Sequence, residues 1–155
     1  MNKLGHDITI LTTNYNISKR PTFLPDDIKL ISLPCIVPRY YLPFPLFWKV
    51  SKAVKSSDII HLINHWTIIN IIAFIFIKIF KKPYIVSPLG ALPIYGRSKL
   101  IKRFYNSLVG KSIINKANAC IAATKNEYPS FRLLDVDESK LNHIPNGINE
   151  EDYLF

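Results

Sequence analysis

The chain has 155 residues, enough for one domain with a sizeable core and too few for a two-domain enzyme. Its hydrophobic fraction of 48% and charged fraction of 20% exclude a chain that is disordered throughout. Twenty Lys and Arg against eleven Asp and Glu give a formal net charge of +9, which predicts an anionic partner. A nucleic acid is not expected, because the basic residues alternate with an apolar helical stripe and match no nucleic-acid-binding motif.

The cysteines and the apolar runs limit the class of protein further. Cys35 and Cys120 lie far apart, without a CxxC pattern or a histidine at metal-ligand spacing. We therefore expect two reduced thiols, a cytosolic protein and no bound metal. No signal peptide is recognised before the first predicted strand. The apolar run at residues 68–80 is shorter than the roughly 20 residues of a membrane span, which favours a buried core helix.

Short apolar runs alternate with longer helical patterns, which is typical of an α/β protein with a parallel sheet. The first half of the chain predicts strand 7–12, a polar loop, strand 28–33, a proline-rich loop 34–47, a helix from near Pro45, a fully buried strand 58–63 and helix 67–81. The second half predicts strand 84–88, a Gly/Pro-rich loop, a long helix capped by Ser98 and ending near Lys116, strand 118–123, a Thr124–Glu127 capping box before a helix, and strand 140–144.

In the long helix the apolar positions fall on one stripe, the pattern of a helix with one face against the core. They are Leu100, Ile101, Phe104, Tyr105, Leu108, Val109 and Ile113. In an open parallel sheet, ligands bind outside the carboxyl ends of the strands. The segments expected there are 13–15, 34–41, 64–67, 89–97, 124–127 and 146–148, and we predict that His65, Gly90, Arg97 and Asn146 converge along this edge.

Five stretches of the sequence carry a family resemblance when they are taken in order. They are LGHDITILTT at residues 4–13, DIIHLINHW at 58–66, KKPYIVSPLGAL at 81–92, KLIKRFYNSLVGKSIINKANACIAATKNE at 99–127 and HIPNGIN at 143–149. Together they resemble the N-terminal domain of group-1 (family four) GT-B glycosyltransferases. The resemblance implies a Rossmann-like open, mostly parallel sheet with helices on both faces, which is one half of a GT-B fold.

The resemblance also implies a domain layout and an activity. Residues 1–149 would form the N-terminal domain without its first strand and helix, residues 150–155 would begin the crossing to a second domain, and the C-terminal domain would be absent. The parent would transfer a hexose from a nucleotide sugar to a polysaccharide or lipid-linked glycan acceptor, without a metal or other cofactor. Alone, this chain would be inactive. Leu89 departs from the family pattern, because many members carry His or Arg there.

Two other functions remain open at this point. The chain could be a non-catalytic half that binds a membrane or a separately encoded C-terminal domain. Another doubly wound enzyme, such as a nucleotide-sugar epimerase, is disfavoured because no GxGxxG follows a predicted strand and no Tyr-x-x-x-Lys lies on a predicted helix.

The resemblance, together with the expectation that ligands bind outside the carboxyl ends of the strands, indicates candidate binding residues but no catalytic residue. The acceptor-side candidates are His65, Trp66, Gly90, Arg97 and Lys102, and the donor-side candidates are Glu127, Asn146 and Gly147. Each has a structural alternative. These alternatives are a turn hydrogen bond for His65, helix packing for Trp66, a tight turn for Gly90, a helix cap for Glu127 and a positive-φ turn for Asn146–Gly147. His61, inside a strand, is expected in the core.

The long helix region is strongly basic and contains no acidic residue. Its cations are Arg97, Lys99, Lys102, Arg103, Lys111 and Lys116. They form either a solvated face or a surface for anionic lipid, where each cation is worth about 1 kcal/mol. For the second possibility Lys99, Arg103 and Lys111 are the membrane-facing candidates, and the proline-aromatic loop 34–47 would enter the same interface. The expected location is cytoplasmic, including peripheral attachment to the inner face of the membrane.

Overall fold

The computed structural model describes residues 4–16, 19–38, 41–94 and 98–147. The chain forms two compact units. The first unit is built from Met1–Ile60 and Thr67–Pro83, and the second from His61–Trp66 and Tyr84–Phe155.

The strands of the first unit form two small sheets. Strands β1 (Thr9–Thr13) and β2 (Lys29–Leu33) are parallel, in register from Thr9 opposite Lys29 to Thr13 opposite Leu33. Strands β3 (Cys35–Val37) and β4 (Leu42–Pro43) pair antiparallel. The prediction of a continuous loop over residues 34–47 is therefore wrong. A two-stranded ribbon tolerates Pro43, because its strands have outer edges where a missing backbone N–H breaks no ladder bond.

Two helices of the first unit pack against each other. Helix α1 (Phe47–Ser56) buries Val50 and Val54. Helix α2 (Ile68–Phe80) buries Asn70, Ala73, Phe74 and Ile77, which recur at helical spacing, while Ile75 and Ile79 are exposed. The expected core helix is thus buried on one face only. Within the described ranges, no helix has the length and apolar character needed to cross a membrane.

The second unit contains a four-stranded sheet. Strands β5 (Ile60–Ile63), β6 (Tyr84–Ser87), β7 (Ala119–Ala122) and β8 (Leu141–His143) lie in that order. β6, β7 and β8 are mutually parallel. Strand β5 runs parallel to β6 as well. The Ile60 N–H donates to the Pro83 oxygen, and four residues later the Asn64 N–H donates to the Ser87 oxygen, so the hydrogen-bond partners advance in the same direction along both strands. The predicted parallel α/β architecture is confirmed.

Strand β5 differs from its prediction as a fully buried strand. Leu62 is buried, whereas His61 and Ile63 are exposed, which is the alternation of a strand with one face against the core. His61, expected in the core, instead reaches Ser87, with 2.6 Å between Nε2 and Oγ.

The predicted long helix is interrupted. Helix α3 (Lys99–Tyr105) is followed by a π-helical turn, Asn106–Gly110, and then by α4 (Lys111–Asn115). Because a π turn inserts an extra residue, the faces before and after it point in different directions. Ile113 is buried in α4, but α3 buries no residue, and Leu100, Phe104 and Leu108 are 78%, 67% and 65% exposed. The single core-facing stripe is therefore wrong for α3.

Of the two helix caps predicted from the sequence, one is wrong and the other is confirmed. Ser98 precedes α3 with φ 64° and makes no side-chain cap bond, so its predicted capping role is wrong. The Thr124–Glu127 capping box is confirmed, and it leads through a 3₁₀ turn, Lys125–Glu127, into α5 (Tyr128–Arg132). The fully buried Phe131 of α5 belongs to the core of the second unit, together with Val86, Ile114, Cys120 and Ala122.

Candidate functional site

The candidate site lies where strands β5 to β8 end, and we call this region the carboxyl edge. His65 follows β5, Gly90 follows β6, Glu127 follows β7 and Asn146 follows β8. Since the strands are parallel, these residues come from the same end of the sheet. Arg97, the remaining residue predicted to converge here, lies outside the described residues.

The backbone at the carboxyl edge adopts left-handed conformations. Asn64 has φ 68°, Leu89 φ 53° and Gly90 φ 75°. The tight turn predicted at Gly90 is confirmed. The left-handed conformation of Leu89 costs roughly 1–2 kcal/mol, because its Cβ comes too close to the backbone. Backbone strain of this kind is concentrated at functional sites. The positive φ expected in the Asn146–Gly147 turn is wrong, since neither residue adopts it.

His65 is buried, with 1% of its surface exposed. Its Nε2 lies 2.8 Å from Asn106 Oδ1, and the Tyr105 hydroxyl donates to its backbone oxygen at 2.6 Å. Burial lowers the pKa of His65, against the opposing effect of the Asn106 hydrogen bond. A neutral ring that donates from Nε2 leaves Nδ1 as an acceptor, and Nδ1 has no partner among the described residues. His65 thus links the loop after β5 to the π-helical turn.

Trp66 connects three segments of the second unit. Its indole N–H donates to the backbone oxygen of Ala91, next to Gly90. Its ring centroid lies 4.5 Å from that of His65 and 5.3 Å from that of Tyr105. Lys102 of α3 places its Nζ 5.3 Å from the same ring, a cation–π distance. Three acceptor-side candidates, His65, Trp66 and Lys102, therefore form one cluster.

Glu127 holds the loop after β6 to the loop after β7. One carboxylate oxygen accepts from the Gly90 backbone N–H at 2.9 Å, and the other accepts from Ala123 and Thr124 at 3.1 and 3.2 Å. A cavity of about 170 Å³ lies beside this junction, lined by Gly90, Leu92, Pro93, Asn126, Glu127 and Ser130. The structure thus brings the donor-side candidate Glu127 against the acceptor-side candidate Gly90.

The other candidates are more exposed. Asn146 and Gly147 lie on the surface after β8, and Lys99 and Arg103 are exposed on α3. Lys111 pairs with Asp135 at 2.6 Å, so this cation has an anionic partner from outside its helix. Within the described ranges, no three His, Cys, Asp or Glu side chains are grouped so that they could hold a metal ion.

Sequence reasoning missed Tyr105 and Asn106 as partners of His65. Tyr105 was assigned to the apolar stripe, although its hydroxyl, whose pKa burial raises, is a fixed donor. Asn106 and Gly110 are poor helix formers in the middle of a predicted helix. That combination was the available signal for an interruption of the helix.

Comparisons with known proteins bear on the fold and the family of the chain. A search of curated proteins found no significant match. The structure is similar to two crystal structures of Anabaena HepE, one in complex with UDP and one with UDP and glucose. Each has a TM-score of 0.57 at 18% identity, over 82% of this chain and 33% of that chain. The present chain thus spans about a third of those proteins. The likeness shows a GT-B fold.

A family model assigns the sequence directly. The model of Glycosyltransferase Family 4 matches residues 1–152, nearly the whole chain. The chain belongs to glycosyltransferase family 4.

Proposed function

We propose that this chain is the acceptor-side half of an enzyme that transfers a hexose from a nucleotide sugar to a polysaccharide or lipid-linked glycan. The observation that carries the proposal is the cluster at the carboxyl edge of a family 4 domain, in which Trp66 and Glu127 hold the Ala91–Gly90 loop from two sides. A loop fixed in this way presents a constant surface to a bound sugar, which is the preorganisation that transfer requires.

Chemical complementarity supports a glycan as the ligand. Trp66 offers an aromatic ring for the apolar face of a sugar, while Asn126 and Ser130 beside the Glu127 cavity offer hydrogen-bonding groups. Lys102 brings a positive charge to this cluster, where it would favour a diphosphate. The UDP and glucose complexes of HepE support a nucleotide sugar as donor.

In the proposed reaction an acceptor hydroxyl forms a bond to the anomeric carbon as the bond to the nucleoside diphosphate breaks. The hydroxyl proton leaves with the diphosphate or to solvent. Asn146 and Gly147, after β8, would border the donor. A second domain would supply most of the contacts to the leaving group, so we expect negligible transfer by this chain alone.

A peripheral membrane position is favoured by separate observations in each unit. In the second unit, Leu100 and Phe104 of α3 are exposed beside Lys99 and Arg103. This combination of apolar and cationic residues is typical of a helix lying in a membrane interface. In the first unit, the predicted interfacial loop and the start of α1 expose Ile36, Tyr41, Phe44, Phe47 and Trp48. A membrane-bound chain would meet a lipid-linked acceptor directly.

Trp66 provides a direct test of the acceptor proposal. The chain has two tryptophans, so in a Trp48→Phe background the fluorescence reports Trp66 alone. We expect a polyprenyl-diphosphate-linked disaccharide in detergent to change this fluorescence saturably, and sugar-free polyprenyl diphosphate to do so at least several-fold more weakly. Lys102→Gln should weaken binding, whereas Lys125→Gln should not. An equal response to both lipids would contradict the proposal, as would turnover of a nucleotide sugar by the chain without a partner.

A further inference from the structure

The first unit contains a cavity that plays no part in the proposed transfer. It has a volume of about 460 Å³ and lies between the β1–β2 pair and helix α1. Small-molecule sites typically occupy about 300–1,000 Å³. We call it the cationic cavity, because its polar lining consists of Thr9, Lys29, Ser32, Lys49, Lys52 and Ser56, without a carboxylate.

Two elements independently direct the lysines to this cavity. Lys49, Lys52 and Ser56 lie at positions i, i+3 and i+7 of α1, which places them on one face of the helix. Lys29 enters from β2, where it is the register partner of Thr9. None of the ion pairs between described residues includes these three lysines. Three ammonium groups around one cavity repel one another unless an anion lies between them. An anion with several oxygen acceptors, placed between the three lysines, would offset this repulsion.

We propose that the cationic cavity binds a phosphate-bearing ligand, either a soluble phosphomonoester or diphosphate or the headgroup of a phospholipid. A phosphomonoester carries about −1.5 to −2 charges at pH 7 and three strong acceptor oxygens. This matches three ammonium groups around one cavity. The site is formed by the first unit alone and goes beyond the proposed transfer reaction.

Binding of a soluble ligand is tested by titrating the ¹⁵N-labelled full chain with inorganic pyrophosphate at constant ionic strength. We expect saturable amide shifts at Ser32 and Lys52. The double variant Lys49→Gln/Lys52→Gln should weaken binding at least tenfold. The control Lys55→Gln/Lys78→Gln removes the same charge from residues outside the lining and should change the affinity less than twofold.

Binding of a phospholipid headgroup is tested by co-sedimentation with phosphatidylcholine vesicles that contain phosphatidic acid. Displacement of the chain by pyrophosphate, together with weaker sedimentation of Lys49→Gln/Lys52→Gln than of the Lys55→Gln/Lys78→Gln control, would assign the site to a headgroup. Saturable pyrophosphate binding with sedimentation unchanged in that variant would assign it to a soluble ligand. Equal weakening of both double variants, or shifts that never saturate, would overturn the site. The Trp66 assay would stand unaffected, because it reports on the second unit.

Discussion

The Glu127 carboxylate accepts the backbone N–H of Gly90 at 2.9 Å, across 37 positions of sequence. The same side chain completes the capping box at Thr124. A residue expected to be either a cap or a ligand group therefore caps its helix and also fixes the neighbouring loop. Its contact with Gly90 fixes the position of that loop.

This junction predicts a measurable loss of stability when the carboxylate is removed. Glu127→Gln replaces one acceptor oxygen with an NH₂ group that faces a backbone N–H. Hydrogen bonds to charged groups contribute about 1.5–3 kcal/mol, so we expect the free energy of unfolding to fall by about 1–3 kcal/mol in urea titrations. Glu138→Gln is the matched control, because its exposed pair with Arg132 is worth at most about 1 kcal/mol. Equal effects of the two substitutions would contradict this role.

Gly110 is required where the π-helical turn meets the His65 cluster. A Cβ at Gly110 would overlap Asn106 Oδ1 and lie 2.6 Å from Tyr105 Cε1, and both side chains are already held by His65. Gly110→Ala should therefore destabilise the fold by about 1–3 kcal/mol, as overpacking does. It should also shift the His65 ring resonances in NMR spectra.

Gly147→Ala is the control for that substitution. A Cβ there meets nothing within 4 Å, and the residue lacks a positive φ. We expect a change within about 0.5 kcal/mol. If Gly110→Ala were equally neutral, the π-helical turn would not be the constraint that positions Tyr105 and Asn106.

The buried His65 predicts a pH dependence of stability. Burial lowers its pKa in the folded state, whereas the pKa of the ring in the unfolded chain is about 6.5. As the pH falls below that value, the unfolded state takes up a proton that the folded state excludes, so the free energy of unfolding falls. The slope approaches at most about 1.4 kcal/mol per pH unit for one group. His61, whose pKa is also lowered by partial desolvation, adds less to it because its side chain is largely exposed.

Urea titrations across this range test the assignment. His65→Gln keeps an N–H for Asn106 but cannot protonate, so it should flatten the slope. His143→Gln replaces a histidine on the exposed end of β8 and leaves His65 in place, so the slope should persist. Slopes that are identical in wild type and His65→Gln would show that this ring does not control acid stability.

The sequence predicted those features that depend on local pattern. The six predicted strands, the capping box and the turn at Gly90 each follow from a few neighbouring residues, and all are present. The short pair β3 and β4 was not predicted, because the prolines of residues 34–47 indicated a loop. The contacts of Trp66 with Ala91 and of Glu127 with Gly90 were not predictable, since they depend on how close separate loops come in space. The exposure of α3 was missed because the π-helical turn breaks the helical period on which the stripe was based.

The exposed face of α3 predicts membrane binding that depends on both charge and apolar area. Lys99→Gln/Lys102→Gln/Arg103→Gln removes three charges worth about 1 kcal/mol each near an anionic surface. Sedimentation with phosphatidylglycerol vesicles should therefore weaken at least tenfold. Lys111→Gln should have a smaller effect, because Asp135 already neutralises that cation.

A charge-matched control separates this surface from a general effect of the net charge. Lys78→Gln/Lys81→Gln/Lys82→Gln removes the same charge at the end of α2 and should leave vesicle binding within about twofold, since only cations close to the lipid contribute fully. Leu100→Ser/Phe104→Ser keeps every charge but removes two exposed apolar side chains, so it should weaken binding and leave the residual binding more sensitive to salt. If both triple variants lost binding equally, the attraction would come from the net charge of the chain, and α3 would have no specific contact with the membrane.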